Sequence, residues 1–187
     1  METAGGPRLQ DLVAQVIGGD PEAFRELFAL AEPSAYALAL GQLGNAEDAR
    51  EVVQEAALAS YRGLKDLRSP EKFPAWVCGI VRYLGIRRLR RRKPVSLSTL
   101  SFEPEAFPVE EPVDAEEASR VREALASLPS GYREALLLRH VEGKSYEEIA
   151  ELLGLSVPGV DSRLSRGRAL LRRKLETSLP AGEEEGL

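Results

Sequence analysis

Six arginines fall within eleven residues: Arg82, Arg87, Arg88, Arg90, Arg91 and Arg92, with Lys93 directly after. A guanidinium is always charged, and its planar fork of donors matches a phosphate or a base edge. Cations near a helix C-terminus are favoured by the dipole, which accounts for part of such a cluster. Six exceed that need, and their mutual repulsion destabilises a helix unless a polyanion neutralises it. The chemistry these residues suit is phosphate binding. A second basic run lies at residues 157–178, where Arg163, Arg166, Arg168, Arg172, Arg173 and Lys174 outweigh Asp161 and Glu176. Phe73, Trp76 and Tyr83 interleave with the first cluster, and rings beside cations suit single-stranded bases. Phe73 and Trp76 also fit a core stripe, the commoner use of such spacing, while Tyr83 stays open. Catalysis has no such support. His140 is the only histidine and Cys78 the only cysteine, so no zinc set and no nucleophile–base pair can be assembled. There is no Gly-rich phosphate loop and no cofactor motif. His140 fits a helix end, and Cys78 a small core position.

The elements that must position these residues are helical. Asp20-Pro21 is a helix start, and Phe24, Leu27, Phe28 and Ala31 follow helical spacing. A second helix is expected over Ser34–Leu43, ending near Gly44-Asn45, and a third from Ala46 to about Tyr61. Glu47, Asp48, Glu51, Gln54 and Glu55 line that third helix as a solvated acidic face or a protein-binding surface. Residues Arg62 to Lys72 contain Gly63 and Ser69-Pro70, which predicts a loop. The next helix starts near Phe73. Its stripe is Phe73, Trp76, Val77, Ile80, Val81 and Leu84, and Pro94 stops it. Residues 94–114 hold four prolines and five acidic residues, a composition expected of a flexible linker. Helices resume at about Asp114, with faces at Val121, Leu125 and Leu128 and then from Tyr132 to Val141. No strand and no repeat is evident.

Two short helices in a tight hairpin close the second half. Ser145 caps the first, with Glu148 three residues on completing a capping box. Gly154 ends it, because Gly readily takes the left-handed position. Ser156 caps the second, and Pro158 is tolerated in its first turn. Val160, Leu164, Gly167 and Leu171 share one side, and Ser162, Ser165 and Arg166 the other. Such a helix-turn-helix can lay its last helix in a major groove. A solvated helical hairpin is the plainer alternative, and the one-signed charge of the last helix argues against it.

Composition sets the outer limits. The 187 residues suit one large domain or two small ones, and 43% hydrophobic content supports a packed core. One cysteine excludes an intramolecular disulfide framework and fits a reducing compartment. The N-terminus has no basic start followed by an apolar run, and Pro33 to Ala46, the longest uncharged stretch, is too short to span a bilayer, so a soluble cytoplasmic protein without membrane insertion is expected. The net charge of −5 hides a strong pattern: residues 62–93 carry eleven positive and two negative charges, and residues 94–119 carry seven negative and none positive. Local basic patches matter more for DNA than the net charge does.

Two segments together resemble the sigma-70 family of bacterial RNA polymerase initiation factors, in its extracytoplasmic-function (ECF) group. AEDAREVVQEAALASYRGL with FPAWVCGIVRYLGIRRLRRR is similar to region 2. LPSGYREALLLRHVEGKSYEEIAELLGLSVPGVDSRLSRGRALLRRKL is similar to region 4. The resemblance implies an all-α chain: a region 2-like helical bundle at 1–93, an acidic Pro-rich linker at 94–114, a region 4-like helix-turn-helix domain at 115–178 and an acidic tail at 179–187. It implies a chain that binds core RNA polymerase through the β′ coiled coil and the β flap, melts the −10 element and reads the −35 element of promoter DNA. By position, Asp48, Glu51, Gln54 and Glu55 would meet core polymerase. Lys65, Asp66, Leu67, Arg68, Tyr83, Arg87, Arg88 and Arg91 would meet the −10 element. Pro158, Gly159, Asp161, Ser162, Arg163, Ser165 and Arg166 would meet the −35 element. An anti-sigma factor is implied as a further partner. Tyr83 and Arg87 replace the family's commoner Asn and Asp, and Asp161 replaces a Lys, which bears on which promoter is read. A helix-turn-helix repressor or activator with an N-terminal sensor or dimerisation domain is the alternative. The arginine cluster of the N-terminal half counts against it. An RNA-binding adaptor rests on arginine and aromatic content alone.

Overall fold

The computed structural model describes residues 8–91 and 115–177, and among these there is no strand. The helices are α1 (Leu9–Ile17), α2 (Pro21–Ala29), α3 (Glu32–Leu43), α4 (Ala46–Gly63), α5 (Phe73–Arg91), α6 (Ala115–Ala126), α7 (Ser130–His140), α8 (Tyr146–Leu153) and α9 (Val157–Thr177). Local chemistry sets most of the boundaries. The Asp20 carboxylate accepts from the N–H groups of Glu22 (2.9 Å) and Ala23 (3.4 Å), satisfying two donors that helix geometry leaves over at the start of α2. Asn45 does the same for α4, accepting from the Asp48 N–H at 2.9 Å. The stretch expected to be a loop, Arg62 to Lys72, is more ordered than its Gly and Pro suggested. α4 runs on to Gly63, and two short 3-10 turns follow at Leu64–Asp66 and Pro70–Lys72. Leu64 explains the difference, because burying its side chain holds the first turn against the core.

α3 is the hub. Ala35, Leu38 and Ala39 are completely buried, and Ala37, Leu40 and Leu43 nearly so. A helix apolar on every side must be covered on every side. α4 and α5 cover two flanks, and α7, from the second half of the chain, covers another. α8 packs in turn on α5, and α9 on α7 and α8. Leu12, Leu27, Leu38, Val52, Phe73, Val77 and Val81 therefore share one continuous core with Leu138, Ile149, Leu153 and Leu164. The two bundles are docked, an arrangement that the expectation of a tethered pair did not contain. The linker at 94–114 and the tail at 179–187 lie outside the described residues.

Two polar anchors cross the junction. The buried Arg133 of α7 donates from Nε to the Gly41 carbonyl (2.7 Å) and from Nη1 to the Ala126 carbonyl (2.5 Å). Arg82 of α5 donates from Nη1 to the Leu153 carbonyl at the end of α8 (2.5 Å). Gly41 makes the closest approach possible. A Cβ there would lie 2.8 Å from the Glu134 Cα, closer than real Cβ atoms come to backbone.

The helix-turn-helix forms as its caps dictate. Ser145 Oγ accepts from the Glu148 N–H (3.1 Å), and the Glu148 carboxylate accepts from the Ser145 N–H (2.7 Å). That backbone hydrogen bond holds the Glu148 carboxyl below its ordinary range. Gly154 closes α8 in the left-handed conformation at φ 64°. Ser145→Ala should therefore cost about 1 kcal/mol of stability in urea unfolding, the usual worth of an N-cap. An unchanged midpoint would contradict that role.

Candidate nucleic-acid interface

α9 is seated by Val160 and Leu164, both fully buried against its neighbours. Its free side presents Pro158, Asp161, Ser165 and Arg166, all exposed, with Gly159 and Ser162 half-buried beside them. Ser156 Oγ accepts from the Gly159 N–H at 3.2 Å and starts the helix. Arg163 behaves differently. It is half-buried, its guanidinium Nη1 lies 3.2 Å from where a Cβ on Gly131 would sit, and its charge offsets part of the rise that burial imposes on the Glu134 carboxyl. It reaches back toward α7, while Arg166 points outward. Further along, Arg168 donates to the Tyr146 hydroxyl (3.3 Å), and the Arg139 guanidinium lies over the Tyr146 ring, 5.4 Å from its centroid. His140 is exposed at the end of α7, and burial and then the charges of Arg168 and Arg139 lower its pKa.

The second basic surface is the far end of α5. Phe73, Val77 and Cys78 are fully buried and fix the helix, and burial pushes the Cys78 thiol up to about 12, an inert core thiol. Trp76 is half-buried against the core, tilted over Phe73 with ring centroids 6.1 Å apart. Tyr83 is 66% exposed, so its ring is available to a base. Lys65, Asp66 and Arg68 are exposed at the 3-10 turns, while Leu67 is half-buried against the core. Arg91 is exposed at the helix end.

Arg87 and Arg88 are not open to solvent in the same way. Arg87 Nη2 lies 2.6 Å from Glu55 Oε1. Arg88 pairs with both Asp48 (2.7 Å) and Glu51 (2.5 Å). Burial alone would lower the Arg88 pKa, and the hydrogen bonds that it donates to Glu51 and Asp48 outweigh this and raise it. The structure thus joins two sets of residues that the sequence placed on separate surfaces. Gln54 is exposed on the same helix as those carboxylates.

Residues that sequence reasoning missed sit at the docked junction: Gly41, Arg133 and Glu134. One signal was present, because the uncharged run of α3 leaves no face for solvent. Among the described residues no cluster of His, Cys, Asp and Glu could hold a metal ion, and no helix is long and apolar enough to cross a membrane.

Comparison with known proteins agrees with this geometry. Residues 27–95 match Sigma-70 region 2, and residues 118–171 match Sigma-70, region 4. The chain is 32% identical over 166 residues to the ECF RNA polymerase sigma factor SigM of Mycobacterium tuberculosis, covering 88% of this chain and 83% of that one. It is 31% identical over 183 residues to the RNA polymerase sigma-H factor of Pseudomonas aeruginosa, covering 91% and 95%. The ECF sigma factor SigW of Bacillus subtilis is 27% identical over 87% of this chain and 94% of its own. The solved structure of CnrH in complex with the cytosolic domain of CnrY superposes with a TM-score of 0.65 at 28% identity, over 90% of this chain and 97% of that one. RpoE from Bartonella quintana, solved with the anti-sigma factor NepR, shares the fold with a TM-score of 0.62 at 22% identity, over 84% of this chain and 99% of that one. The chain belongs to the sigma-70 family, in its ECF group. It is an alternative sigma factor, a protein that directs transcription initiation.

Proposed function

We propose that residues 1–93 engage the β′ coiled coil of core polymerase and the −10 element, and that residues 115–178 engage the β flap and the −35 element. The observation that carries the second half is the seating of α9. Val160 and Leu164 hold one face, and Asp161, Ser165 and Arg166 are left outward for a major groove. Arg166 suits the O6 and N7 of a guanine, and Asp161 can accept from a cytosine amino group. Asp48, Glu51, Gln54 and Glu55 meet core polymerase. Lys65, Asp66, Leu67, Arg68, Tyr83, Arg87, Arg88 and Arg91 meet the opened −10 strand, Tyr83 by stacking and the arginines through phosphates. Pro158, Gly159, Ser162 and Arg163 complete the −35 side. The chain performs no catalysis of its own and works in the cytoplasm, where the polymerase is.

The docked form cannot make both promoter contacts at once. Positions −35 and −10 lie about 25 base pairs apart, or about 85 Å at 3.4 Å per step. A packed chain of this length has a radius of gyration of about 16 Å. The two bundles therefore separate when the promoter is engaged. CnrH was solved with the cytosolic domain of CnrY and RpoE with the anti-sigma factor NepR, and an anti-sigma factor would act here by favouring the docked form.

The decisive experiment is transcription in vitro with core enzyme on genomic templates. A transcript that depends on this chain is expected, and none from any template would refute the proposal. Tight, specific binding of the isolated chain to a palindromic site would favour a repressor instead. Arg166→Ala should lower discrimination at a single −35 position by about 1–3 kcal/mol. A uniform loss across all template sequences would move Arg166 to a phosphate role.

A further inference from the structure

The carboxylates of α4 assigned to core polymerase are engaged by the arginines of α5 assigned to DNA. Arg88 reaches Asp48 Oδ1 through Nε (2.9 Å) and Nη2 (2.7 Å), and Glu51 Oε2 through Nη2 (2.5 Å). Arg87 reaches Glu55 Oε1 at 2.6 Å. The spacing is what two facing helices require, with residues 48, 51 and 55 on one stripe of α4 and residues 84, 87, 88 and 91 on one stripe of α5. Between them lies a pocket of about 310 Å³, lined by Asp48, Glu55, Leu84, Arg87, Arg88 and Arg91, with Glu51 reaching the Arg88 guanidinium from beside it. Among these described groups, three guanidiniums face three carboxylates.

The pairs differ in how firmly they are held. The Asp48 side chain is only 8% exposed, so it keeps Arg88 aimed at the pocket. Glu51 and Glu55 are 54% and 47% exposed. Exposed ion pairs of this kind contribute little and exchange readily for another partner. A carboxylate and a phosphate compete for the same guanidinium fork. We propose that Glu51 and Glu55 mask a phosphate-binding pocket formed by Arg87, Arg88 and Arg91, and that the cationic surface of core polymerase unmasks it by taking the two carboxylates. The charge facing the arginines then becomes more positive by two, on the helix that also presents Tyr83 to a base. Polymerase binding and strand capture become thermodynamically linked through four side chains, and the linkage is reciprocal. This inference rests on the assignment of the α4 face to core polymerase.

The test measures binding of the full-length chain, without polymerase, to a fluorescein-labelled oligothymidylate across a salt series. Glu51→Gln with Glu55→Gln should bind about tenfold tighter, and its log–log salt slope should steepen by about 0.7 for Arg87, which loses Glu55, and by up to about 0.7 more for Arg88, which keeps Asp48. Gln preserves helix propensity at both positions. A charge-matched control, Glu26→Gln with Glu32→Gln, alters exposed carboxylates outside the cluster. It should change affinity by less than about twofold, since it removes charge without freeing an arginine. Adding Arg87→Ala and Arg88→Ala to the first variant should cancel its gain. An equal gain in the control, or a gain that survives loss of both arginines, overturns the masking. Pull-down of core polymerase separates this from the underlying assignment. Undiminished capture by the Glu51→Gln/Glu55→Gln chain would overturn the role of α4 in binding polymerase, and with it the trigger, whatever the oligonucleotide shows.

Discussion

Gly41→Leu is expected to pry the two bundles apart while leaving each one folded. The residue sits on α3 where α7 crosses, and even a Cβ would lie 2.8 Å from the Glu134 Cα and 3.0 Å from its backbone nitrogen. Those atoms belong to a helix backbone, so no side-chain rotation relieves the clash. Overpacking inside a core costs about 1–3 kcal/mol where neighbours can shift. Here the cheaper response is to separate α3 from α7, because that leaves α3 packed on α4 and α5. The expected result is a rise in radius of gyration by small-angle X-ray scattering at constant helix content, with thermal unfolding split into two transitions. A single transition and an unchanged radius would mean that the junction yields locally and that the docking is not governed by this close approach.

The second large effect is expected at Arg133, because its guanidinium bridges the C-terminal carbonyls of two helices. Gly41 lies in the last turn of α3, and Ala126 is the final residue of α6. Such carbonyls have no partners within their own helices and carry the negative end of the dipole. Arg133→Met keeps the aliphatic bulk and removes both charge-assisted bonds, for a loss of about 3 kcal/mol. Arg133→Lys should recover only part of this, since one ammonium cannot fork to both acceptors. The pH dependence separates this role from simple packing. Burial pushes the Glu134 carboxyl up, and Arg82, Arg163 and Arg133 pull it back. A raised folded-state value means that the folded chain binds the proton more tightly, so stability falls as pH rises from the ordinary carboxylate range through the folded value. Removing Arg133 raises that value further. The deficit of the Met variant should therefore be smallest in acid, where Glu134 is protonated in both states, and should widen toward neutrality. Urea midpoints at about pH 4 and about pH 7.5 measure this, and a deficit constant across that range would remove Glu134 from the argument.

What could be read from the sequence was what is decided locally. The start of α8 needs only Ser145 and Glu148, and its end only Gly154, so the helix-turn-helix was fully legible. The face of α9 followed from the spacing of Val160 and Leu164. α1 went unnoticed because Arg8 at its start makes no side-chain cap and its apolar residues mean little until α2 packs on them. The candidate residues were found by charge and by resemblance, yet the pairing of Arg87 with Glu55 joins residues 32 apart, and no helical period reports it. The docked junction was hidden for the same reason. Arg133 and Glu134 have the look of an ordinary solvated pair, and only the opposing backbone at Gly41 makes them interior.

The hub position of α3 also bears on how the chain is made. Its last flank is covered by α7, and Arg133 meets Gly41 across 92 residues of sequence. At about 5–20 residues per second of synthesis, that flank waits for about 5–18 seconds after Gly41 is added. During this interval a folded first bundle displays the flank of α3 around Gly41 without the helix that covers it. Ribosome-bound chains stalled before α7 should thus be the species most prone to self-association and to capture by chaperones, and completion of α7 the moment at which the newborn protein becomes safe from both.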